Sequence, residues 1–310
     1  MNILIATDGS EYASNALDFV LRFPFPHDSK MTVLSVVDDI PMLQAELDAL
    51  NDAQSEALKE ANKQLHEEAE ELVEREGGRL REDGWPGQTM VRSGKPVDEI
   101  LRVAREIDAD LIVVGSHGTS LAKRFLLGSV SDRVFEYAPC SVLIVKKKSE
   151  DDVTAEIEPG TNAAYRIMLA YDNSDAAHDA LDLCSSLPLE ENSEIRVVNV
   201  LPLITAYRQD IRQHINNIWL QKKQIMQAAL KKAVRSLQWA TSNVMTELRE
   251  GENVSDEVLH AAEEAGSDLI MVGCKNKSSI KRFLLGSATH RMARYAKCNV
   301  WGVRNKSREN

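Results

Sequence analysis

Short runs of β-branched and apolar residues recur along the chain. In the first half they are NILIAT (2–7), MTVLSVV (31–37), QTMVRS (88–93), LIVVG (111–115) and SVLIV (141–145). In the second they are RIMLAY (166–171), EIRVVNV (194–200), NVMTELR (243–249), LIMVG (269–273) and NVWGV (299–303). Between them lie stretches with helical spacing: one from Ser10, one over about 42–76, one after Pro96 and one after Ser129. The second half has its own long helical stretch at about 207–240. Continuously apolar strands separated by helices predict an α/β fold with a parallel sheet covered on both faces.

The two halves are copies. KRFLLGS occurs at 123–129 and again at 281–287, 158 positions later. LIVVG and LIMVG keep that offset, as do Asp98-Glu99 and Asp256-Glu257. TDGSEYASNALD (7–18) resembles YDNSDAAHDALD (171–182) at an offset of 164, so a few residues were gained or lost in between. Solenoid repeats run about 20–50 residues, so a period this long marks a duplicated domain. Around the midpoint, KKKSEDDVTAEIEPGTNAA is charged, holds Pro-Gly and lacks periodicity. The expected division is a domain at 1–147, a linker at 148–164 and a domain at 165–305.

With 310 residues, 43% of them hydrophobic, the chain can build a core in each half. The opening apolar run is short and ends in TDGS, which reads as a buried strand rather than a signal peptide. No run approaches the length of a membrane span. Cys140, Cys184, Cys274 and Cys298 show neither CxxC nor zinc spacing, which points to a reduced, cytoplasmic setting. The net charge of −11 is uneven, with 17 basic and 27 acidic residues in 1–150 against 20 and 21 in 151–310. An acidic chain argues against a nucleic-acid partner, and the excess reads as a solubility feature. The long 42–76 stretch is acidic and its 207–240 counterpart basic. Each is expected to pack as an amphipathic helix on its own sheet, with a partner surface as the alternative.

The chemistry-bearing loop is VVGSHGTSLAKRFLLGSVSD, residues 113–132. A strand ends at Gly115, Gly118 follows, and Gly128-Ser129 opens a helix in which Ser129 and Asp132 resemble a capping box. Glycines here can supply positive φ or close approach to a ligand. The helix start offers free N–H groups at the end of a parallel strand, where an anion such as phosphate is favoured. Spacing by itself is equally compatible with glycines that only make tight turns. No GxxxxGK[ST], GxGxxG or Ser/His/Asp arrangement is present.

G-x2-G-x9-G-[ST] after the fourth strand resembles the signature of the universal stress protein family, carried here by Gly115, Gly118, Gly128 and Ser129. Asp8 in ATDGS, the GxP of Gly94 and Pro96, and the closing APCSVLIV (138–145) are similar to that family too. The resemblance covers nearly the whole chain, once per half. It implies two tandem Rossmann-like domains, each with a five-stranded parallel sheet. Their last strands, VLIV and VWGV, would pair across a pseudo-twofold axis. It implies ATP or ADP as ligand, with Mg²⁺ held between phosphate oxygens; the sequence dictates no metal ligands. By that likeness Asp8 meets the ribose or adenine, and Val36 or Val37 meets the adenine through its backbone. Val114 and Gly115 wall the ribose, and Gly118, Gly128, Ser129, Val130 and Ser131 surround the phosphates with N–H and hydroxyl donors. His117 lies inside the loop and is a candidate to touch phosphate, although a loop histidine by default faces solvent. Lys123 and Arg124 are candidates for distant positive charge.

The second half departs from this pattern. Asp172, Gly273, Gly286 and Ser287 remain, but Asn276 stands where Gly118 stood. Glu252 falls near the place of Gly94, and His290 replaces Asp132. These residues describe a weaker second site, or one for a different ligand. The leading functional expectation is a stress-response nucleotide-binding protein that uses ATP or ADP as a regulatory ligand, with at most weak hydrolysis. TDGS is not the SGGxDS-like loop of adenylylating relatives. The alternatives are a slow ATPase, a nucleotide-free interaction protein, or a binder of apolar ligands between sheet and long helices. For the last two, the acidic long segment facing the basic one would be the surface to test. Two domains can satisfy a family-type dimer internally, which leaves room for a further homodimer.

Overall fold

The computed structural model describes residues 1–38, 52–118, 127–147, 164–203, 209–274 and 286–305. The first half contributes β1 (Asn2–Thr7), β2 (Lys30–Val37), β3 (Gly87–Ser93), β4 (Leu111–Gly115) and β5 (Ser141–Val145). The second contributes β6 (Arg166–Ala170), β7 (Glu194–Pro202), β8 (Asn243–Gly251), β9 (Leu269–Gly273) and β10 (Asn299–Val303). All ten form one sheet in the order β3-β2-β1-β4-β5-β10-β9-β6-β7-β8. Within each half every pairing is parallel; the single antiparallel join is β5 to β10, with Val300 opposite Ile144 and Trp301 opposite Leu143. The sequence pattern anticipates this order. The predominantly apolar β4, β5 and β10 are buried throughout and lie centrally, while the more polar β3 and β8 form the two edges.

The helices of the first half are α1 (Glu11–Arg22), α2 (Asp52–Glu82), α3 (Pro96–Glu106) and α4 (Ser129–Tyr137). Their counterparts are α5 (Asp175–Ser186), α6 (Gln209–Leu237), α7 (Val254–Glu264) and α8 (Ser287–Tyr295). One core gathers residues from α1, α2, α5 and α6 on one face of the sheet; the other gathers residues from α3, α4, α7 and α8 on the opposite face. Each core runs through both halves. Trp301 of β10, fully buried, reaches Phe23 and Phe25 of the first half with ring centroids 5.8 and 5.9 Å away. Truncating such a residue to Ala costs about 3–5 kcal/mol, so the seam is core rather than a loose contact.

The long helices pack by their C-terminal portions, α2 through Ala69, Val73 and Leu80, and α6 through Leu230, Ala233 and Leu237. They sit at opposite ends of the sheet, α2 on β2 and β3, α6 on β7 and β8. The acidic and basic segments therefore do not face each other, contrary to the surface anticipated from sequence. Each helix covers its own edge instead.

Candidate functional site

In the first half the ends of β1, β2 and β4 open into a cavity of about 270 Å³. Three local devices shape it. Asp8 ends β1 in an Asx turn: its Oδ1 accepts from Ser10 N at 3.0 Å, and Gly9 takes φ +73°. Ser10 then caps α1, accepting from Ala13 N at 3.2 Å. After β4 the chain turns through Ser116, His117 and Gly118, and Gly128 N donates to Ser116 O at 2.8 Å, which pins the start of α4 to that turn.

The three motif glycines serve close approach, not positive φ; none of them is in the left-handed region. A Cβ at Gly115 would stand 2.6 Å from Tyr12 O, so this residue lets α1 pack on β4. A Cβ at Gly118 would stand 2.4 Å from Asp8 Oδ2, so Gly118 lets the two cavity-lining loops come together. At Gly128 it would stand 3.2 Å from His117 Cα.

Asp8, Val36, Val114, Gly115, His117, Gly118, Gly128, Ser129, Val130 and Ser131 all line this cavity. Val37 does not; it is buried, and its carbonyl accepts from Gly94 N at 2.9 Å. Of the two adenine candidates Val36 alone lines the cavity. The Ser131 hydroxyl is committed, donating to Gly115 O at 2.6 Å. His117 is 7% exposed rather than solvent-facing, with Nδ1 3.2 Å from Ser116 Oγ and its ring 5.0 Å from Tyr12. The capping box does not form: the N-cap of α4 is Gly128 without a side-chain bond, and Asp132 turns to the other half of the chain. Lys123 and Arg124 lie outside the described residues. Sequence reasoning missed Leu34 and Ile100, which stand with Pro96 in the apolar wall. Leu34 lies two positions before Val36 on the same strand face, and Ile100 lies one turn after Pro96, so the periodicities carried that signal.

The first turn of α4 therefore presents the amides of Ser129, Val130 and Ser131, which a helix start leaves without intrahelical partners, to a cavity with apolar side walls. The helix macrodipole adds an attraction of about 0.3–1 kcal/mol for an anion there.

In the second half the matching cavity is about 540 Å³. Asp172, Gly273, Gly286 and Ser287 line it; Asn276 lies outside the described residues. Asp172 keeps the turn, its Oδ1 accepting from Ser174 N at 3.0 Å. Gly273 keeps the helix approach, a Cβ there standing 2.1 Å from Ala176 O. The sheet register pairs Val37 with Ser93 and Leu201 with Glu250, so Gly251, not Glu252, takes the place of Gly94. Glu252 is exposed and does not line the cavity. The loop is one residue longer there, and Asn253 caps α7 by accepting from Ser255 N at 3.1 Å.

This fold, with strand-end cavities at a switch in strand order, defines a doubly wound α/β protein whose domain is built twice in one chain. Comparison with known sequences narrows the class. The universal stress protein family matches residues 1–146 and again 164–304, so the chain belongs to the universal stress protein family as a tandem member. Universal stress protein YxiE of Bacillus subtilis is 31% identical over 144 residues, covering 46% of this chain and 97% of its own. A putative universal stress protein of Staphylococcus aureus (strain USA300) is 32% identical over 160 residues, covering 51% and 89%. The crystal structure of a universal stress protein from Archaeoglobus fulgidus shares the fold across 98% of both chains, with a TM-score of 0.63 at 21% identity. Among the described residues no helix is long and apolar enough to cross a membrane, and no three His, Cys, Asp or Glu side chains gather as metal ligands.

Proposed function

We propose that the first half binds ATP or ADP as a regulatory ligand in a cytoplasmic stress response, with little or no hydrolysis. The observation that carries this reading is Gly118 backed against Asp8 Oδ2, where a Cβ would stand 2.4 Å away, beside the open first turn of α4. The amides of Ser129, Val130 and Ser131 would bind phosphate oxygens. Asp8, a carboxylate and so unsuited to phosphate, would accept from ribose hydroxyls. Val36, Val114, Leu34 and Ile100 would enclose the base. Mg²⁺ would be held by phosphate oxygens and water. Nucleotide bound there touches the start of α4, whose next residue, Asp132, contacts the second half. Occupancy is thereby linked to the seam between halves. Calorimetric titration of the whole chain with ATP and Mg²⁺ tests the reading: about one equivalent is expected, without turnover. Absence of binding at millimolar ATP overturns it.

A further inference from the structure

The cavity of the second half is about twice the size of that in the first, about 540 against 270 Å³. Shortened side chains account for part of the difference. Equivalent positions follow from the sheet register and from the matched helix lengths. Where the first half has Leu34, Ile100 and Val130, the second has Val198, Val258 and Ala288. All three replacements lose carbon from the same wall. On the opposite side the cavity extends over the sheet edge to Ile225 and Met226 of α6. Ile225 is 61% exposed, an apolar residue held in water at the entrance.

A second, independent feature lies at the floor. Asn199 stands where the first half has Ser35, and it is 4% exposed. Its Nδ2 donates to Tyr171 O at 2.7 Å, which fixes the amide orientation because that carbonyl can only accept. The Asn199 Oδ1 that remains is a buried acceptor with no donor. The neighbouring Tyr171 hydroxyl does not serve it, lying 3.1 Å from Asn173 Oδ1 and 3.0 Å from His178 Nε2. Buried acceptors are nearly always satisfied, so an unmet one on a residue that lines a large cavity asks for a ligand donor.

We propose that the second half binds an apolar small molecule that presents one hydroxyl or amide N–H to Asn199, in place of a nucleotide. The widened apolar wall takes the body of the ligand, and Asn199 selects for the donor. Two chemically distinct sites then share one sheet. The inference does not rest on the nucleotide reading of the first half.

The test uses the full chain and two probes of nearly equal shape: 2-naphthol, which carries a donor, and 2-methoxynaphthalene, which does not. Calorimetry or probe fluorescence is expected to show one equivalent of 2-naphthol, held about tenfold more tightly than the methyl ether. Saturating ATP should leave it bound. Ala288→Leu and Met226→Trp, which fill the cavity from opposite sides, should each abolish naphthol binding while the thermal transition persists. The proposal is overturned by no saturable binding of 2-naphthol, by equal affinity for the two probes, by displacement with ATP, or by binding that survives both filling variants. Loss of ATP binding alone would overturn the first-half reading and leave this one standing.

Discussion

Asp132 of α4 and His290 of α8 occupy the same place in their respective halves, and they meet across the seam with His290 Nε2 2.9 Å from Asp132 Oδ1. Arg294, the counterpart of Glu136, completes the contact with Nε 3.1 Å from Oδ1 and Nη2 2.7 Å from Oδ2. A residue near a twofold axis faces its own copy in a symmetric dimer. Here the copies have diverged to opposite chemistry, so unlike halves attract and like halves do not.

That divergence predicts a pairing rule. Two first halves would set Asp132 and Glu136 against the same carboxylates, and two second halves would set Arg294 against the same cation with no carboxylate to meet it. Like charges across a contact are unfavourable. Residues 1–147 and 164–305 expressed separately are expected to associate with each other in size-exclusion chromatography, and not with themselves through this face. A stable homodimer of either half through β5 or β10 would contradict the rule.

The same cluster predicts acid sensitivity. Burial acts to raise the Asp132 pKa, but the Arg294 hydrogen bonds and the positive charges of His290 and Arg294 outweigh it and hold the carboxyl below its ordinary 3.8. A depressed carboxylate adds stability above its unfolded pKa, and that stability is lost as pH falls through the folded value. Asp132→Asn is expected to cost about 1 kcal/mol at neutral pH, a modest figure because Arg294 is partly exposed. It should also flatten the stability profile below about pH 4 relative to the parent chain. Urea unfolding from pH 2 to 7 measures both.

Gly115 and Gly118 should separate stability from binding. At Gly115 the obstacle is backbone, Tyr12 O at 2.6 Å from an added Cβ, so Gly115→Ala forces α1 from β4 and should cost about 1–3 kcal/mol. At Gly118 the obstacle is the Asp8 carboxylate, a side chain at the end of a strand. Gly118→Val should leave the unfolding midpoint nearly unchanged and weaken ATP binding at least about tenfold. Calorimetry alongside thermal melts checks the pair; equal loss of stability in both would remove the distinction.

Much of this site was legible because close-approach glycines and strand ends are written locally. G-x2-G-x9-G located the loop, and the duplicated runs located the second copy. What the sequence hid depends on neighbours distant in the chain. The exposed appearance of His117 came from its loop context, yet Tyr12, in the first turn of α1, covers one side of its ring. The Ser131 hydroxyl reads in sequence as a phosphate donor, whereas it donates to Gly115 O from the next element. Asp132 looked like a capping residue because a capping box is a local pattern, whereas its partners are about half a chain away. Asn199 raised no signal, since a lone Asn in an apolar strand gives no hint of an unmet acceptor at a cavity floor.

A last prediction concerns the ends of the seam. Lys146, just after β5, crosses to the second half, and its Nζ donates to Ala293 O at 2.8 Å at the C-terminal end of α8. Arg304, just after β10, mirrors it on the carbonyls of Phe135 and Cys140. The two cations differ in what burial does to them. Arginine stays charged throughout the accessible range. Burial pushes Lys146 from 10.5 down to about 8, against a raising effect of the nearby Cys298. Between those values the unfolded chain binds more protons at this site than the folded one, so stability gains as pH rises from about 8 toward 10.5. The gain is at most about 3 kcal/mol from the size of the shift. Lys146→Met removes the titration and also the bond to Ala293 O, which costs about 1 kcal/mol. The difference in unfolding free energy between parent and Lys146→Met should therefore grow in the parent's favour across that window, measured by urea unfolding at pH 7 to 10.5. A flat difference curve would mean that Lys146 remains charged in the folded protein and holds α8 as firmly as Arg304 holds α4.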